Sequence, residues 1–307
     1  MKETAFIFPG QGSQSVGMGR ELFENFKVAR EIFEEADDTL RFSISTLCFQ
    51  GPEEALKLTE NTQPAILTTS VAALRVFCEE KGSTARLVAG HSLGEYSALV
   101  CSGALRFADA VRMVRLRGRF MQEAVPVGEG AMAAVLGMER DRLEKICQEE
   151  ASGEVLSPAN FNCPGQIVIS GHAKAVERAI ERIKQEGKKA VPLPVSAPFH
   201  SALMEPAGLR LEKELETISV EDLQVPVVTN VEAELNTEKG RVKKLLVAQV
   251  SSPVRWEESM RKMVEKGMER TLEIGPGKVL SGLMKRIEPG VETFNIEDVK
   301  TLKKIPD

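Results

Sequence analysis

The chain has 307 residues, 42% of them hydrophobic and 28% charged, with a formal net charge of -5 at pH 7. That is enough apolar chain for one large cored domain or two ordinary ones, and the acidic balance argues against broad nucleic-acid binding. No apolar run approaches the roughly 20 residues of a membrane span and the first residues hold no signal-peptide core, so the expectation is a cytoplasmic protein without membrane contact.

Thr4 to Phe8 reads as a short buried strand, with Pro9-Gly10-Gln11-Gly12-Ser13-Gln14 as the loop leaving its C-terminal end. A dinucleotide fingerprint would need a third glycine where Ser15 stands. The loop is then either an ordinary turn or a cradle that turns backbone N–H groups toward an anion. Leu22, Phe26, Ala29 and Phe33 recur at helical spacing and predict an amphipathic helix, and a second helical run extends from Pro64 to Lys81. Leu87 to Gly90 is a buried strand that runs into His91-Ser92-Leu93-Gly94 and a helical stretch. Gly90 and Gly94 flank Ser92 in the G-x-S-x-G spacing of a nucleophile elbow, where a tight strand-to-helix turn excludes side chains two residues either side of the serine. The helix that follows would direct free N–H groups and its positive dipole end at the same place.

The next helix is predicted from Ala108 to Met121. At about 100° per residue Arg112, Arg115 and Arg119 form one polar stripe, while Arg117 falls on the opposite face with Ala110, Met113, Val114 and Met121. An arginine on a buried face needs an anion, either an internal Asp or Glu or the carboxylate or phosphate of a ligand. From Pro126 to Pro198 the pattern changes. Strands are predicted at Ala131 to Leu136, Val155 to Asn160, Gln166 to Ser170 and Ala190 to Val195, and helices at Arg140 to Glu150 and Ala173 to Gln185. This is β-α-β-β-α-β, the split ferredoxin-like order, inserted in an α/β chain whose alternating strands and helices imply a parallel sheet with ligands at the strand C-termini. The expected division is a discontinuous large domain, 1–126 with 197–307, and a small domain, 127–196.

Three histidines occur. His91 is pinned in the elbow and His172 starts an inserted helix, which leaves His200, in the turn Ala197-Pro198-Phe199-His200-Ser201, as the available base. Asn160 to Gln166 and Gln249 to Trp256 read as polar loops, and Thr271 to Ile274 followed by Gly275-Pro276-Gly277 as a last strand and turn. The five cysteines are odd in number and include no Cys-x-x-Cys pair, which fits reduced thiols and no metal site. The basic clusters Lys188-Lys189 and Arg241-Val242-Lys243-Lys244 are anion sites or solvated faces.

Taken in order, Pro9 to Gln14, Gly90-His91-Ser92-Leu93-Gly94-Glu95, Arg117-Gly118, Asn160 to Gly165, Pro198-Phe199-His200-Ser201, Gln249 and Glu273 to Gly277 resemble the malonyl-CoA:acyl carrier protein transacylases from end to end. The resemblance implies an α/β-hydrolase-like core with a small ferredoxin-like lid domain. It makes Ser92 the nucleophile, His200 the base, Arg117 the clamp for the malonyl carboxylate, and the backbone N–H groups of Gln11 and Leu93 the oxyanion hole. Gln249 matches the position whose backbone carbonyl orients the histidine ring, and Asn160 and His91 are expected in support. It further implies malonyl-CoA and acyl carrier protein as partners, no metal or cofactor, and malonyl favoured over methylmalonyl because Phe199 precedes the histidine; a monomer is expected, and a chain of 307 residues with no fused carrier or condensing domain points to dissociated fatty acid synthesis. A serine hydrolase, either thioesterase or esterase, would share the Ser/His pair but has no evident use for a buried Arg117. A silent binding protein would keep the fold without a reactive serine.

Overall fold

The computed structural model describes residues 2–195 and 197–306. It is an α/β protein built on two sheets. Ten strands are labelled in chain order: β1 Thr4–Phe8, β2 Leu87–Gly90, β3 Gly130–Leu136, β4 Leu156–Cys163, β5 Gln166–His172, β6 Lys189–Pro192, β7 Val227–Val228, β8 Leu235–Asn236, β9 Arg270–Ile274 and β10 Glu292–Ile296. The large sheet runs β10-β9-β1-β2-β7-β8, parallel except for the edge pair β7–β8. The second sheet, β4-β5-β3-β6, is antiparallel throughout and carries the helices Arg140–Ala151 and Ala173–Gln185 in β-α-β-β-α-β order. The proposed small-domain limit at residue 196 lies outside the described residues.

Because side chains alternate across a strand, Phe6 and Phe8 of β1 pack into one core while Ala5 and Ile7 pack into another on the opposite face. The helices Thr59–Lys81 and Phe107–Glu123 cover the first face, and Trp256–Glu265 and Val279–Ile287 cover the second. With both faces covered, ligand access is left to the strand ends. The C-terminal ends of β1, β2, β7 and β9 accordingly carry the loop from Pro9, the Ser92 turn, Asn230 and the Gly275-Pro276-Gly277 turn.

Three predicted elements differ. The periodic stretch from Leu22 to Phe33 is two helices, Arg20–Asn25 and Lys27–Leu40, broken at Phe26, whose backbone is extended. Asn160 to Cys163, expected as loop, completes β4, irregularly paired with β5 through two register shifts. Gln249, also expected as loop, lies in the helix Lys239–Ser251.

Candidate active site

The Ser92 turn is sharp enough to force a left-handed backbone, with φ 53° at Ser92 itself. A methyl group at Gly90 would overlap the Gly94 backbone, and one at Gly94 would overlap Phe8 and Pro9, so both flanking glycines are required by close approach of main chain. The loop after β1 lies against this turn: His91 N–H donates to Phe8 O at 3.0 Å, and a side chain at Gly10 would strike His91. Neither the Gln11 N–H nor the Leu93 N–H has a hydrogen-bond acceptor among the described residues. Asn230 staples the turn from the next strand, its Oδ1 accepting from Ser92 N–H at 2.7 Å and its Nδ2 donating to Gly90 O at 2.7 Å.

His200 also has a left-handed backbone, φ 59°, in a loop closed by Ser201 Oγ donating to Pro198 O at 2.7 Å. Its Nε2 is 2.8 Å from Ser92 Oγ and its Nδ1 is 2.9 Å from the backbone oxygen of Gln249. A carbonyl oxygen can only accept, so Nδ1 carries the proton and Nε2 presents a lone pair to the serine hydroxyl. Arg117 is fully buried on the helix Phe107–Glu123. Its neighbour Gly118 has no room for a side chain against the backbone of Thr59 and Glu60, and this contact brings Arg117 to Gln63 of the adjoining helix. The guanidinium donates to three neutral oxygens: Gln63 Oε1 from Nη1 at 2.9 Å, and Gln249 Oε1 at 3.0 Å and Ser92 Oγ at 3.2 Å from Nη2. Nε has no partner, and no carboxylate forms an ion pair with Arg117 among the described residues. The internal Asp or Glu that would have made this a structural pair is not in contact.

A family model described as acyl transferase domain matches residues 5–306. The malonyl CoA-acyl carrier protein transacylase of Bacillus subtilis is 52% identical over 305 residues, covering 99% of this chain and 96% of that protein, and its Escherichia coli K12 counterpart is 51% identical over 288 residues, covering 94% and 93%. The chain belongs to the malonyl CoA-acyl carrier protein transacylase family. Among solved structures, an acyl carrier protein S-malonyltransferase from Vibrio cholerae matches with a TM-score of 0.96 at 46% identity, covering 99% of this chain and all of that one. A malonyl-transacylase in complex with a type II PKS acyl-carrier protein matches with a TM-score of 0.96 at 47% identity, covering 98% of each.

This member of the transacylase family is an acyltransferase, and Arg117, His200, Gln249 and Glu95 are all buried around Ser92. Burial pushes His200 down to about 3, and the nearby Arg117 adds to the effect, so the imidazole is neutral across the physiological range. Burial also pushes Glu95 up to about 7, against the opposing pull of the Asn230 N–H, the Gln249 amide and the Arg117 charge. His91, lowered by burial, faces Asn162 Oδ1 through Nε2 at 2.9 Å and stacks at a tilt on Trp256, 5.5 Å between ring centres. Asn162 rather than Asn160 thus reaches the elbow. Asn160 lies buried in β4, bridged to Val254 through the backbone, and its side chain makes no hydrogen bond among the described residues. A cavity of about 630 Å³, lined in part by Lys2, Phe77, Arg86, Arg270 and Leu272, lies at the N-terminal ends of β1, β2 and β9, opposite the strand ends that carry the site, and shares no residue with it.

Sequence reasoning missed Gln63, Glu95 and Asn230. Signals existed for two of them: Gln63 is a polar residue in a helix buried continuously from Thr62 to Leu74, and Glu95 is the one charge in the otherwise uncharged helix Gly94–Cys101. Asn230 stands in a short loop with no periodicity to expose it.

Proposed function

We propose that the chain transfers a malonyl group from malonyl-CoA to the phosphopantetheine thiol of an acyl carrier protein through an ester on Ser92. The observation that carries this reading is the buried Arg117 guanidinium touching Ser92 Oγ with no carboxylate of its own. A buried cation with no carboxylate bonded to it, beside a nucleophile, favours an acyl group that brings an anion, and malonate carries one at the far end of its chain. A simple hydrolase would gain nothing from it. The resident carbonyl at His200 Nδ1 leaves Nε2 to take the Ser92 proton as Oγ attacks the thioester carbon. The electron pair of the carbonyl moves to oxygen, facing the unpartnered N–H groups of Gln11 and Leu93, and returns as the carbon–sulfur bond breaks. The CoA sulfur leaves with the proton held on His200. In the second half, the carrier thiol gives its proton to His200 and attacks the ester, and Ser92 recovers its hydrogen.

The steps need no metal or cofactor beyond the phosphopantetheine on the partner. The working unit is one copy of the chain, because Ser92, His200, Arg117 and Gln249 all come from it. The division into a large domain, 1–126 with 197–307, and a small one, 127–196, is supported by the separate core under the second sheet. We assign His91 to a supporting role through Asn162, tying β4 to the elbow, and Asn160 to the β4 backbone that meets Val254. No helix among the described residues is long and apolar enough to cross a membrane.

The test separates transfer from hydrolysis. Mixed with malonyl-CoA alone, the protein should release one equivalent of CoA thiol in a burst and then stall, whereas adding holo acyl carrier protein should restore turnover with malonyl appearing on the carrier. Continuous thiol release without carrier would replace the reading with a thioesterase.

A further inference from the structure

Glu95 sits in the first turn of the helix after the elbow, 2% exposed, and one of its oxygens serves two other elements. Oε2 accepts from Asn230 N–H at 3.0 Å and from Gln249 Nε2 at 2.8 Å. The donor end of the Gln249 amide faces oxygens only: Ser92 O at 3.0 Å, Glu95 Oε2, and Asn230 Oδ1 at 3.5 Å. An amide has one donor end and one acceptor end, so Gln249 Oε1 is left to receive Arg117 Nη2 at 3.0 Å. A flipped Gln249 would set an NH2 group against the guanidinium, donor against donor. Glu95 supplies one of the acceptors that prevent this, and in its ionised form it bonds to N–H more tightly than a neutral carbonyl does. Its hydrogen-bond link to Arg117 runs only through the amide, so it biases the fork without occupying the donors that a substrate would use.

We infer that Glu95 is a positioning residue for acyl selection, acting through the Gln249 amide to hold the Arg117 guanidinium toward a carboxylate on the acyl group. The inference rests on the proposed carboxylate clamp at Arg117. Its test therefore measures kcat/KM for malonyl-CoA and acetyl-CoA in the wild type and in Arg117→Ala, Glu95→Met, Glu95→Gln and the Glu95→Met/Arg117→Ala double variant.

Glu95→Met keeps the side-chain volume and removes the acceptor, and the malonyl-to-acetyl ratio should fall by roughly tenfold or more, mainly through the malonyl KM. Glu95→Gln retains one acceptor oxygen for the two N–H donors and should recover most of that loss. Where Arg117 is already alanine, Glu95→Met should alter the ratio by less than about twofold, since no guanidinium is left to orient. A carboxylate that merely holds the fold would depress both donors together, and an unchanged ratio in Glu95→Met, or an undiminished effect in the double variant, overturns the inference while leaving the clamp intact. An unchanged ratio in Arg117→Ala overturns the clamp itself. Should Glu95→Met not fold, Gln249→Met cuts the same relay while Glu95 still bonds to Asn230 N–H; it should show the same loss of ratio, and a retained ratio overturns the inference.

Discussion

At Arg117 the proposed function joins recognition to chemistry in a single side chain, because the guanidinium proposed to grip a distal carboxylate also donates to the Ser92 hydroxyl. Replacing it with alanine removes charge-assisted bonds worth about 1.5–3 kcal/mol each, so malonyl transfer should fall by roughly two to four orders of magnitude. Acetyl transfer should fall far less, since acetate has no carboxylate to lose. Arg117→Lys should recover little, because an ammonium cannot span the Gln63 and Gln249 oxygens as a planar fork does. The check is kcat/KM for both donors, with a thermal melt as folding control; equal losses on both would mean that Arg117 serves the common chemistry. The residue was visible in the sequence because one helix carries it, and 100° per residue separates it from Arg112, Arg115 and Arg119. Its partners were harder to see. Gln249 falls with Val242, Leu245, Leu246 and Val250 on a buried helical face, a periodicity that marks it as an interior amide, yet its neighbour Ser251-Ser252-Pro253 suggested loop.

At the level of elements, the site is a meeting of strand ends, and strand ends in a parallel sheet come from distant parts of the chain. The Ser92 elbow was legible because strand, turn and helix are contiguous and the steric need for Gly90 and Gly94 is local. The staple from Asn230 crosses from β7 and leaves no such mark. Its side chain pairs two buried backbone groups at the turn, so Asn230→Ala should cost on the order of 1–3 kcal/mol for each group left unpaired. Asn230→Asp keeps the acceptor for Ser92 N–H but loses the donor for Gly90 O, and should recover part of the loss. Denaturant midpoints for the three proteins decide it, and an unchanged midpoint in Asn230→Ala would mean the elbow holds its left-handed Ser92 unaided. The small sheet was predicted nearly strand for strand because the β4–β5 hairpin and the amphipathic helices carry local patterns, whereas the short strands β7 and β8 were not, two residues being too few to show alternation.

For the molecule as a whole, buried titrating groups of opposite kind set the response to pH. His200 and His91 are held below the 6.5 of a free imidazole, so they favour the fold above pH 6.5 and oppose it as pH falls toward the lowered values, when only the unfolded chain takes up the protons. Glu95 and Glu273 are raised above 4.5 by burial, so their contribution is complete below pH 4.5 and is lost as pH rises, toward about 7 for Glu95. The two effects oppose each other between pH 4.5 and 6.5 and cease to do so below 4.5. Stability from urea titrations should therefore vary little across the upper interval and drop steeply beneath it, and His91→Asn should soften the drop. A steady decline beginning at pH 6.5 would contradict the raised carboxyls. Within the basic cluster, Arg241 is engaged by both oxygens of Glu232 and Lys243 by the backbone of Ile218. Transfer by this route requires above all that the acyl group pauses on Ser92. The direct measurement is the intact mass of the protein after brief exposure to malonyl-CoA, followed by peptide mapping and then by addition of holo acyl carrier protein. One malonyl group on the peptide containing Ser92, gone within seconds of adding carrier and never formed in Ser92→Ala, is the predicted result; an unmodified protein that still loads the carrier, or a label on any other residue, would contradict it.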